Sequence, residues 1–502
     1  MNTTHFEFGN KKTSTESIYN TVRKNSELKL GEGSRQAIEK CRHFLESEVK
    51  SGKTIYGINT GFGHLCDIRI GEDKLGQLQE NLIRSHACGS GDWVPDEVSR
   101  TILLLKIKNL SLGYSGVRME LVDRLQTIYN SGVIPMIYEQ GSLGASGDLA
   151  PLAHLSLLLL GEGKVKFRDE IMPTSRFLSL SGIAPLDLAS KEGLALINGT
   201  QFSTGYGVQA VVKAGLLHRL ANLCAVLSLE AFNCRIDPFS PLVHQIRPHK
   251  GQTVVSEEIN QWISGSDLKD RKKISVQDPY SFRCIPQVHG AAYDLIQTVR
   301  NTIETEINSV SDNPLVFPDQ GRIISAGNFH AEPIAFAMDH LALGLCELGS
   351  ISERRIYQLI NGHRGLPVCL TRDAGIQSGF MILQYSAAAS VSLNKQLATP
   401  ASVDSIISSM GQEDHVSMAA NAATKTYRIL QNTFTVLAME FMTAVQALTL
   451  SETKGLSPQV TEIIHSYRKI VPQLETDRNL SEDVEKTKLF LKDLLERWAD
   501  EF

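Results

Sequence analysis

The feature of this sequence that most restricts its fold is a set of long apolar segments with few prolines. They cover residues 194–229, 290–307, 331–360, 376–397 and 419–450. An average helix in a globular protein has about 10–14 residues, and all of these segments are longer. Long helices with apolar faces bury those faces best against one another. The sequence therefore predicts a mainly α fold, a large bundle of long helices rather than several small domains.

The remaining periodicity predicts shorter helices and a few short strands. Helices are indicated at residues 34–50, 73–88, 95–112 and 117–129, and strands before residue 34, at 164–171 and near 323–324. We expect a smaller N-terminal region, 1–115, followed by the helical bundle, 116–502. The bundle is predicted to end in a charged amphipathic helix over 479–502, with an apolar side formed by Leu489, Leu491, Leu494 and Leu495.

The charge and the cysteines exclude several classes of protein. A net charge of −5 gives no general attraction to nucleic acid or to anionic membranes. The eight cysteines occur singly, without a CxxC pair or a Cys/His zinc spacing, which favours reduced thiols and predicts no metal site. The N-terminus lacks the pattern of a signal peptide, and the apolar run 155–160 is too short to span a bilayer. We expect a cytoplasmic protein with neither a nucleic-acid nor a membrane partner.

One glycine-rich segment, 141–151, contrasts with the apolar sequence around it. Its first seven residues include three glycines and two serines, which cannot build a core. The apolar run 149–160 predicts a helix, with Asp148 as its N-cap and Pro151 in its first turn. The loop therefore precedes a helix N-terminus, where free N–H groups bind anions. Physical chemistry alone leaves two interpretations open, an anion-binding loop and a chemically modified one.

The chemical interpretation concerns Ala145, Ser146 and Gly147. In a tight bend the amide nitrogen of Gly147 can attack the carbonyl carbon of Ala145, because glycine has no Cβ to block the approach. Loss of water closes a five-membered imidazolone ring. Loss of a second water removes the Ser146 hydroxyl and leaves an exocyclic methylene group. That methylene is an electrophile that no ordinary side chain provides.

The same segment carries a family resemblance. The run Gly-x-x-Gly-Ala-Ser-Gly-Asp-Leu-Ala-Pro-Leu-Ala-His over 141–154 resembles the signature of the histidine, phenylalanine and tyrosine ammonia-lyases. That family builds 4-methylidene-imidazol-5-one (MIO) from its Ala-Ser-Gly. The resemblance implies the same group from Ala145, Ser146 and Gly147 without an external cofactor, and a carbon–nitrogen lyase reaction. It also implies the fold of the aspartase/ammonia-lyase superfamily and a homotetramer whose active sites draw on three subunits.

Polar segments between the predicted helices extend the resemblance along nearly the whole chain. They lie at 54–63, 192–201, 276–284, 327–333 and 411–418. Each taken alone is more typical of a cap or a turn than of a functional site. Together they match, in order, blocks of the ammonia-lyase family. The resemblance therefore implies that the active site is assembled from all of them.

The resemblance assigns three residues to the reacting groups. Tyr56, in its glycine-flanked loop, matches the family's catalytic base for the β-proton. Tyr280 matches a second tyrosine placed at the prosthetic group. Arg283 matches the residue that holds the substrate carboxylate, a role that suits a planar guanidinium, although a structural ion pair is the alternative.

Three further residues are assigned to the surroundings of the substrate. Asn198 and Gln277 are expected to hydrogen-bond around the substrate and the prosthetic carbonyl. Phe329 is expected to pack beside the ring system. In the resemblance the electrophile captures either the amine or the aromatic ring of the substrate, and the amine route is our working hypothesis.

The substrate is indicated by a dipeptide that varies within the family. Ser85-His86 resembles the histidine-specific members, whereas the tyrosine and phenylalanine enzymes carry His-Leu or Phe-Leu there. A buried imidazole needs partners for both ring nitrogens, since leaving one unpaired costs ~1–3 kcal/mol. His86 can provide one partner and Glu413 the other. We therefore expect L-histidine as the substrate and trans-urocanate as the product, in the first step of histidine degradation.

Three alternatives stay open. A tyrosine or phenylalanine ammonia-lyase would use the same chemistry on another ring, and a MIO-dependent aminomutase would return ammonia to the β-carbon. A non-catalytic helical scaffold would need none of the residues assigned above, and their joint presence argues against it. Fumarase-like lyases are excluded because the chain lacks their Gly-Ser-Ser-x-Met-Pro loop.

Overall fold

The architecture is that of a mainly α protein, as predicted. A computed structural model describes residues 5–9, 11–55, 57–61, 70–451 and 453–501. The helices up to residue 231 are α1 (Thr15–Arg23), α2 (Glu32–Lys50), α3 (Leu75–His86), α4 (Asp96–Ser111), α5 (Met119–Asn130), α6 (Leu149–Ser156), α7 (Thr174–Ser181), α8 (Glu192–Ile197) and α9 (Gln201–Ala231). The later helices are α10 (Pro241–Gln245), α11 (Lys250–Trp262), α12 (Tyr280–Arg283), α13 (Ile285–Ile307), α14 (Glu332–Ile360), α15 (Met381–Leu397), α16 (Ala419–Leu450), α17 (Pro458–Arg468) and α18 (Leu480–Ala499).

The strands are short and form small separate sheets. They are β1 (His5–Phe8), β2 (Glu27–Leu30), β3 (Ser90–Trp93), β4 (Ile134–Pro135), β5 (Tyr138–Gln140), β6 (Lys164–Phe167), β7 (Glu170–Pro173), β8 (Leu315–Phe317) and β9 (Arg322–Ile324). β1 pairs with β2 in parallel, and all the other pairings are antiparallel. β3 pairs with β5, β8 pairs with β9, and β4, β6 and β7 form a three-stranded sheet in that order. The strands predicted at 164–171 and near 323–324 are thus confirmed as parts of two hairpins.

The chain divides into two compact units that are discontinuous in sequence. The first consists of Met1–Val212, Arg300–Asp339 and Pro400–Thr424. The second consists of Lys213–Val299, His340–Thr399 and Lys425–Phe502. The region 1–115 lies wholly within the first unit, and its boundary is not one of the positions where these units divide. A separate N-terminal region stays a prediction.

Each unit contains long helices that pack in its interior. In the first unit, α4 is buried at every position from Val98 to Ser111, as expected of a helix at the centre of a core. In the second unit, the part of α16 after residue 425 packs against α9. The Ser228 hydroxyl donates to Glu440 Oε1 at 2.7 Å, and the Cys224 thiol lies 3.5 Å from the carbonyl oxygen of Leu437.

Within the part of the chain that the structure describes, three helices, α9, α14 and α16, are long and apolar enough to cross a membrane by length and composition. They have 31, 29 and 32 residues, and 83%, 72% and 78% of their most apolar windows are buried inside the protein. Their apolar surface is therefore used mostly for packing within the protein, which is what the bundle prediction requires.

Two predictions about helices need correction. The segment 194–229 is not one helix, because α8 ends at Ile197 and α9 begins at Gln201. Asn198 is extended and Gly199 has a φ of +126°, so the Asn-Gly pair turns the chain between two helices. In α18 the predicted apolar side includes Leu489, which is 64% exposed, whereas Leu491 and Leu494 are buried.

Candidate active site

The serine loop, which we define as residues 141–148, connects β5 to α6. Gly147 has a φ of +76°, and a Cβ on it would lie 2.2 Å from the carbonyl oxygen of Gly199. The two glycines form an isolated parallel bridge, and the amide of Asp148 donates to the oxygen of Gly199 at 2.7 Å. No side chain fits at Gly147 without displacing the backbone of residue 199, so this position requires glycine.

The carboxylate of Asp148 anchors the loop from inside the protein. It accepts hydrogen bonds from the hydroxyls of Ser142 and Ser203, both at 3.0 Å, and from the amide of Ser203 at 2.9 Å. Complete burial raises the pKa of the Asp148 carboxyl, and these hydrogen bonds oppose the shift. The predicted N-cap is wrong as far as the side chain is concerned. Asp148 does precede α6, but its carboxylate makes no capping bond to that helix.

Asn198 and a buried lysine hold the loop from the α8 side. Asn198 Nδ2 donates to the carbonyl oxygen of Ser146 at 2.7 Å. The ammonium of Lys106 donates to the carbonyl oxygens of Ala195 and Asn198 at 3.1 and 2.9 Å, and burial lowers the pKa of Lys106 to about 7. Sequence analysis missed Lys106 because it lies in an apolar helix. The signal that could have identified it is a lysine in the middle of an otherwise apolar helix, which indicates a buried charge with a specific partner.

The serine of the loop meets a predicted substrate residue that lies 267 positions later in the chain. The Ser146 hydroxyl donates to Glu413 Oε1 at 2.6 Å. The other carboxylate oxygen of Glu413 accepts from the hydroxyl of Ser408 at 2.9 Å, and the backbones of these two residues form an antiparallel bridge. The tertiary structure thus brings Ser146, Asn198 and Glu413 together in the first unit.

His86, the last residue of α3, completes this group. Its Nδ1 lies 2.8 Å from the carbonyl oxygen of Leu82, and because a carbonyl only accepts, Nδ1 carries the proton. This tautomer leaves Nε2 as an acceptor. Burial lowers the pKa of His86, while the bond to Leu82 and the negative charge of Glu413 act in the opposite direction. His86 is therefore close enough to Glu413 for their charges to interact.

Phe329 and the segment 54–63, which carries Tyr56, belong to the same unit. Phe329 is half-buried, and the next residue, His330, has its Nε2 3.3 Å from the carbonyl oxygen of His415, two residues after Glu413. Tyr56 lies outside the described residues. Next to it, Asn59 accepts from the amide of Ile55 at 2.8 Å, so the flanking loop is internally hydrogen-bonded.

The remaining predicted residues belong to the second unit. Tyr280 begins α12 and is 71% exposed, and the Arg283 guanidinium lies 4.5 Å from the centre of its ring. Arg283 Nε is buried and has no hydrogen-bond partner within the part of the chain that the structure describes. Gln277 is exposed, and its carbonyl oxygen accepts from Arg364 at 3.4 Å. Tyr280 and Arg283 are therefore brought together on one helical turn.

A buried ion pair that the sequence analysis missed supports α12. Arg355 Nε and Nη2 donate to the two carboxylate oxygens of Glu440 at 2.5 and 2.9 Å, and both side chains are fully buried. Arg355 Nη1 donates to the carbonyl oxygen of Ser281 at 3.3 Å. This bond fixes the backbone of the turn that carries Tyr280 and Arg283.

Comparison with known proteins places this chain among enzymes of one family. The model of the family described as "Aromatic amino acid lyase" matches residues 13–469. The histidine ammonia-lyase of Geobacillus thermodenitrificans is 48% identical over 462 residues, which are 91% of this chain and 92% of the relative.

Two solved structures have the same fold over nearly their whole length. Histidine ammonia-lyase from Trypanosoma cruzi has a TM-score of 0.92 and 37% identity, covering 99% of this chain and 95% of that one. Tyrosine aminomutase from Streptomyces globisporus has a TM-score of 0.93 and 35% identity, covering 98% of this chain and 97% of that one. From the extent of the family match and the identity to its members, the chain belongs to the aromatic amino acid lyase family.

Proposed function

We propose that this chain is a carbon–nitrogen lyase that deaminates L-histidine to trans-urocanate and ammonia without oxidation. Relatives named histidine ammonia-lyase that are 48% and 46% identical over 91% of the chain support this substrate. The hydrogen bond from Ser146 to Glu413, whose charge acts on His86, is the structural observation that carries the proposal. We further propose that the enzyme is cytoplasmic.

The serine loop fits a MIO group formed from Ala145, Ser146 and Gly147. The positive φ of Gly147 and the absence of room for a Cβ match the requirement for an unblocked amide nitrogen. Asn198 Nδ2, which donates to the Ser146 carbonyl oxygen at 2.7 Å, would hold that oxygen in the cyclised group. The group would supply an electrophile that captures electrons of the substrate, and no external cofactor is needed.

His86 and Glu413 are proposed to bind the substrate imidazole. His86 Nε2 is an acceptor, so it suits a ring N–H of the substrate. Glu413 Oε1 now accepts a hydrogen bond from the Ser146 hydroxyl. The second loss of water from the serine loop would remove that hydroxyl and leave Oε1 free to accept from the second ring N–H of a protonated substrate imidazole. A phenyl ring would leave both groups unpaired, at a cost of ~1–3 kcal/mol each, so the pair favours histidine.

The other assigned residues are proposed to bind the rest of the substrate and to move its proton. The buried Nε of Arg283 has no hydrogen-bond partner among the described residues, so the guanidinium suits the substrate carboxylate. The ring of Tyr280 packs against this guanidinium. Tyr56 is proposed as the base for the β-proton. The family resemblance also supports hydrogen bonding around the substrate by Asn198 and Gln277, and packing of Phe329 beside the ring. It likewise supports a homotetramer with shared active sites.

The experiment that tests the proposal is a product assay with L-histidine. We expect a conjugated, ultraviolet-absorbing product and one ammonia for each histidine consumed. Tyrosine and phenylalanine serve as matched substrates. Faster deamination of either one than of histidine would contradict the proposed substrate and leave the reaction class standing.

An aminomutase is the second candidate, because structures of tyrosine aminomutase share this fold at a TM-score of 0.93. Such an enzyme would return the ammonia to the β-carbon instead of releasing it. Chromatography of the reaction mixture separates the two, since a β-amino acid without free ammonia would indicate the aminomutase.

A further inference from the structure

The start of α14, with the loop before it, and the segment before α16 place three potential metal ligands together. His330, Glu332 and His415 each offer one donor atom, and these atoms all lie within 4.8 Å of one another. The imidazole rings of His330 and His415 are nearly parallel, with centroids 5.8 Å apart and an angle of 25° between their planes. We propose that His330, Glu332 and His415 form a binding site for a divalent transition-metal ion of the zinc and cobalt class.

The donor set and the geometry suit such an ion. Two imidazoles and one carboxylate are typical ligands of zinc and its neighbours, with metal–ligand bonds of about 2.0–2.2 Å. Around one ion these bond lengths put neighbouring donors about 3.3–3.6 Å apart, so the side chains need to close by no more than about 1.5 Å. Rotation of side chains provides that movement without a change in the backbone.

The surroundings of the three residues also favour an ion. Glu332 Oε2 is buried and has no hydrogen-bond partner among the described residues, which is costly for a carboxylate oxygen. The bond from His330 Nε2 to the carbonyl oxygen of His415 leaves Nδ1 of His330 as the donor to a metal. In metal sites, a histidine that binds the metal through one ring nitrogen usually donates a hydrogen bond from the other ring nitrogen, often to a backbone carbonyl. His415 is exposed, so an ion can enter and leave from solvent.

Sequence analysis predicted no metal site because it considered only cysteine pairs and close Cys/His spacings. His330 and His415 are 85 residues apart, and only the tertiary structure brings them together. A bound ion would join the loop that carries Phe329 to the segment that carries Glu413. We therefore expect metal binding to stabilise these two segments against thermal unfolding. This inference does not depend on the identity of the amino-acid substrate.

Cobalt(II) titration of the tag-free, full-length protein tests the site. After treatment with a chelator and desalting, one equivalent of Co²⁺ per chain is expected to give the visible absorption of a bound ion. Histidine must be absent, since it binds Co²⁺ itself. Glu332→Gln and His415→Asn should each weaken Co²⁺ binding by about 100-fold or more. Loss of a residue that only hydrogen-bonds to a metal ligand typically costs about 10- to 100-fold in metal affinity.

The control is His465→Asn, which removes an exposed histidine from α17 and should leave the Co²⁺ titration unchanged. Zn²⁺ should raise the melting temperature of the wild type and of this control, but not that of His415→Asn. Because His415 is exposed, its replacement should not prevent folding, which keeps the test decisive. Unchanged Co²⁺ binding in Glu332→Gln and His415→Asn, or no binding by the wild type at millimolar Co²⁺, would overturn the proposal.

Discussion

The serine loop in the first unit and α12 in the second unit both carry predicted site residues, but they are held in different ways. The serine loop is held by close backbone contact with Gly199 and by hydrogen bonds from serine hydroxyls to the carboxylates of Asp148 and Glu413. Helix α12 rests on the fully buried ion pair of Arg355 and Glu440. One region thus relies on close backbone approach and the other on paired charge.

The difference indicates what each region tolerates. Close backbone approach at Gly147 excludes every side chain there, so the shape of the serine loop depends on glycine itself. A buried ion pair tolerates changes around it but not the loss of one partner, because the other charge is then left unpaired. We expect changes of reactive groups in the serine loop to affect chemistry, and changes beneath α12 to affect folding.

The largest effect on chemistry is expected from Ser146→Ala. The variant should fold with nearly wild-type stability, because Ser146 is a small residue in a loop and contributes little packing, and it should lose nearly all of its turnover. Turnover of L-histidine and thermal melting measure the two effects. Ser142→Ala, in the same loop, keeps Ala-Ser-Gly and should stay within about tenfold of the wild-type rate, ~1.4 kcal/mol. Retention of more than about a tenth of the turnover, ~1.4 kcal/mol, by Ser146→Ala would disprove the MIO proposal.

The second prediction breaks the ion pair beneath α12. Glu440→Gln should lower the free energy of unfolding by about 3–5 kcal/mol, because Arg355 would remain charged, buried and without its counter-ion. Denaturant unfolding measures the loss. The matched control is Glu501→Gln, which removes an exposed ion pair with Arg219 and should cost less than about 1 kcal/mol. Equal losses in the two variants would mean that the buried pair does not support the second unit.

The third prediction concerns a residue that α12 presents rather than one that supports it. Arg283→Met should cost about 2–5 kcal/mol of transition-state stabilisation, since the substrate carboxylate would lose its charged partner. Arg283→Lys keeps the charge but not the planar fork, so it should restore activity only partly. The ratio kcat/KM on L-histidine is the measurement. Full activity of the lysine variant would show that Arg283 does not contact the carboxylate directly.

The smallest effect is expected at His86, where one hydrogen bond between its imidazole and the substrate ring is at stake. His86→Leu should reduce kcat/KM on L-histidine by roughly ten- to a hundredfold, ~1.5–3 kcal/mol. The same change lines the site with hydrocarbon, so turnover of phenylalanine or tyrosine should rise. Glu413→Gln should be milder if the carboxylate only accepts a hydrogen bond from the imidazole. An unchanged preference for histidine in His86→Leu would remove His86 from the substrate site.

The sequence by itself determined the fold class and the family. Long apolar segments can be buried only against one another, and α14 and α16 were predicted to within one residue of their observed bounds. The run over 141–154 identified the family by its resemblance to a known signature, whose residues lie next to one another in the chain. Both signals are local in the chain, and local signals are readable without knowledge of the fold.

Only the tertiary structure decided which distant groups meet. The break between α8 and α9 follows from the bonds of Asn198 and Gly199 to the serine loop, which no local pattern contains. The carboxylate of Asp148 bonds to serine hydroxyls rather than capping α6, because burial made those partners available. Lys106, Arg355 and Glu440 lie in apolar helices, and their charges are stabilised there by hydrogen bonds and an ion pair with residues far along the chain. Hydrogen bonds and ion pairs between such residues depend on three-dimensional proximity, and the linear order of the residues does not specify it.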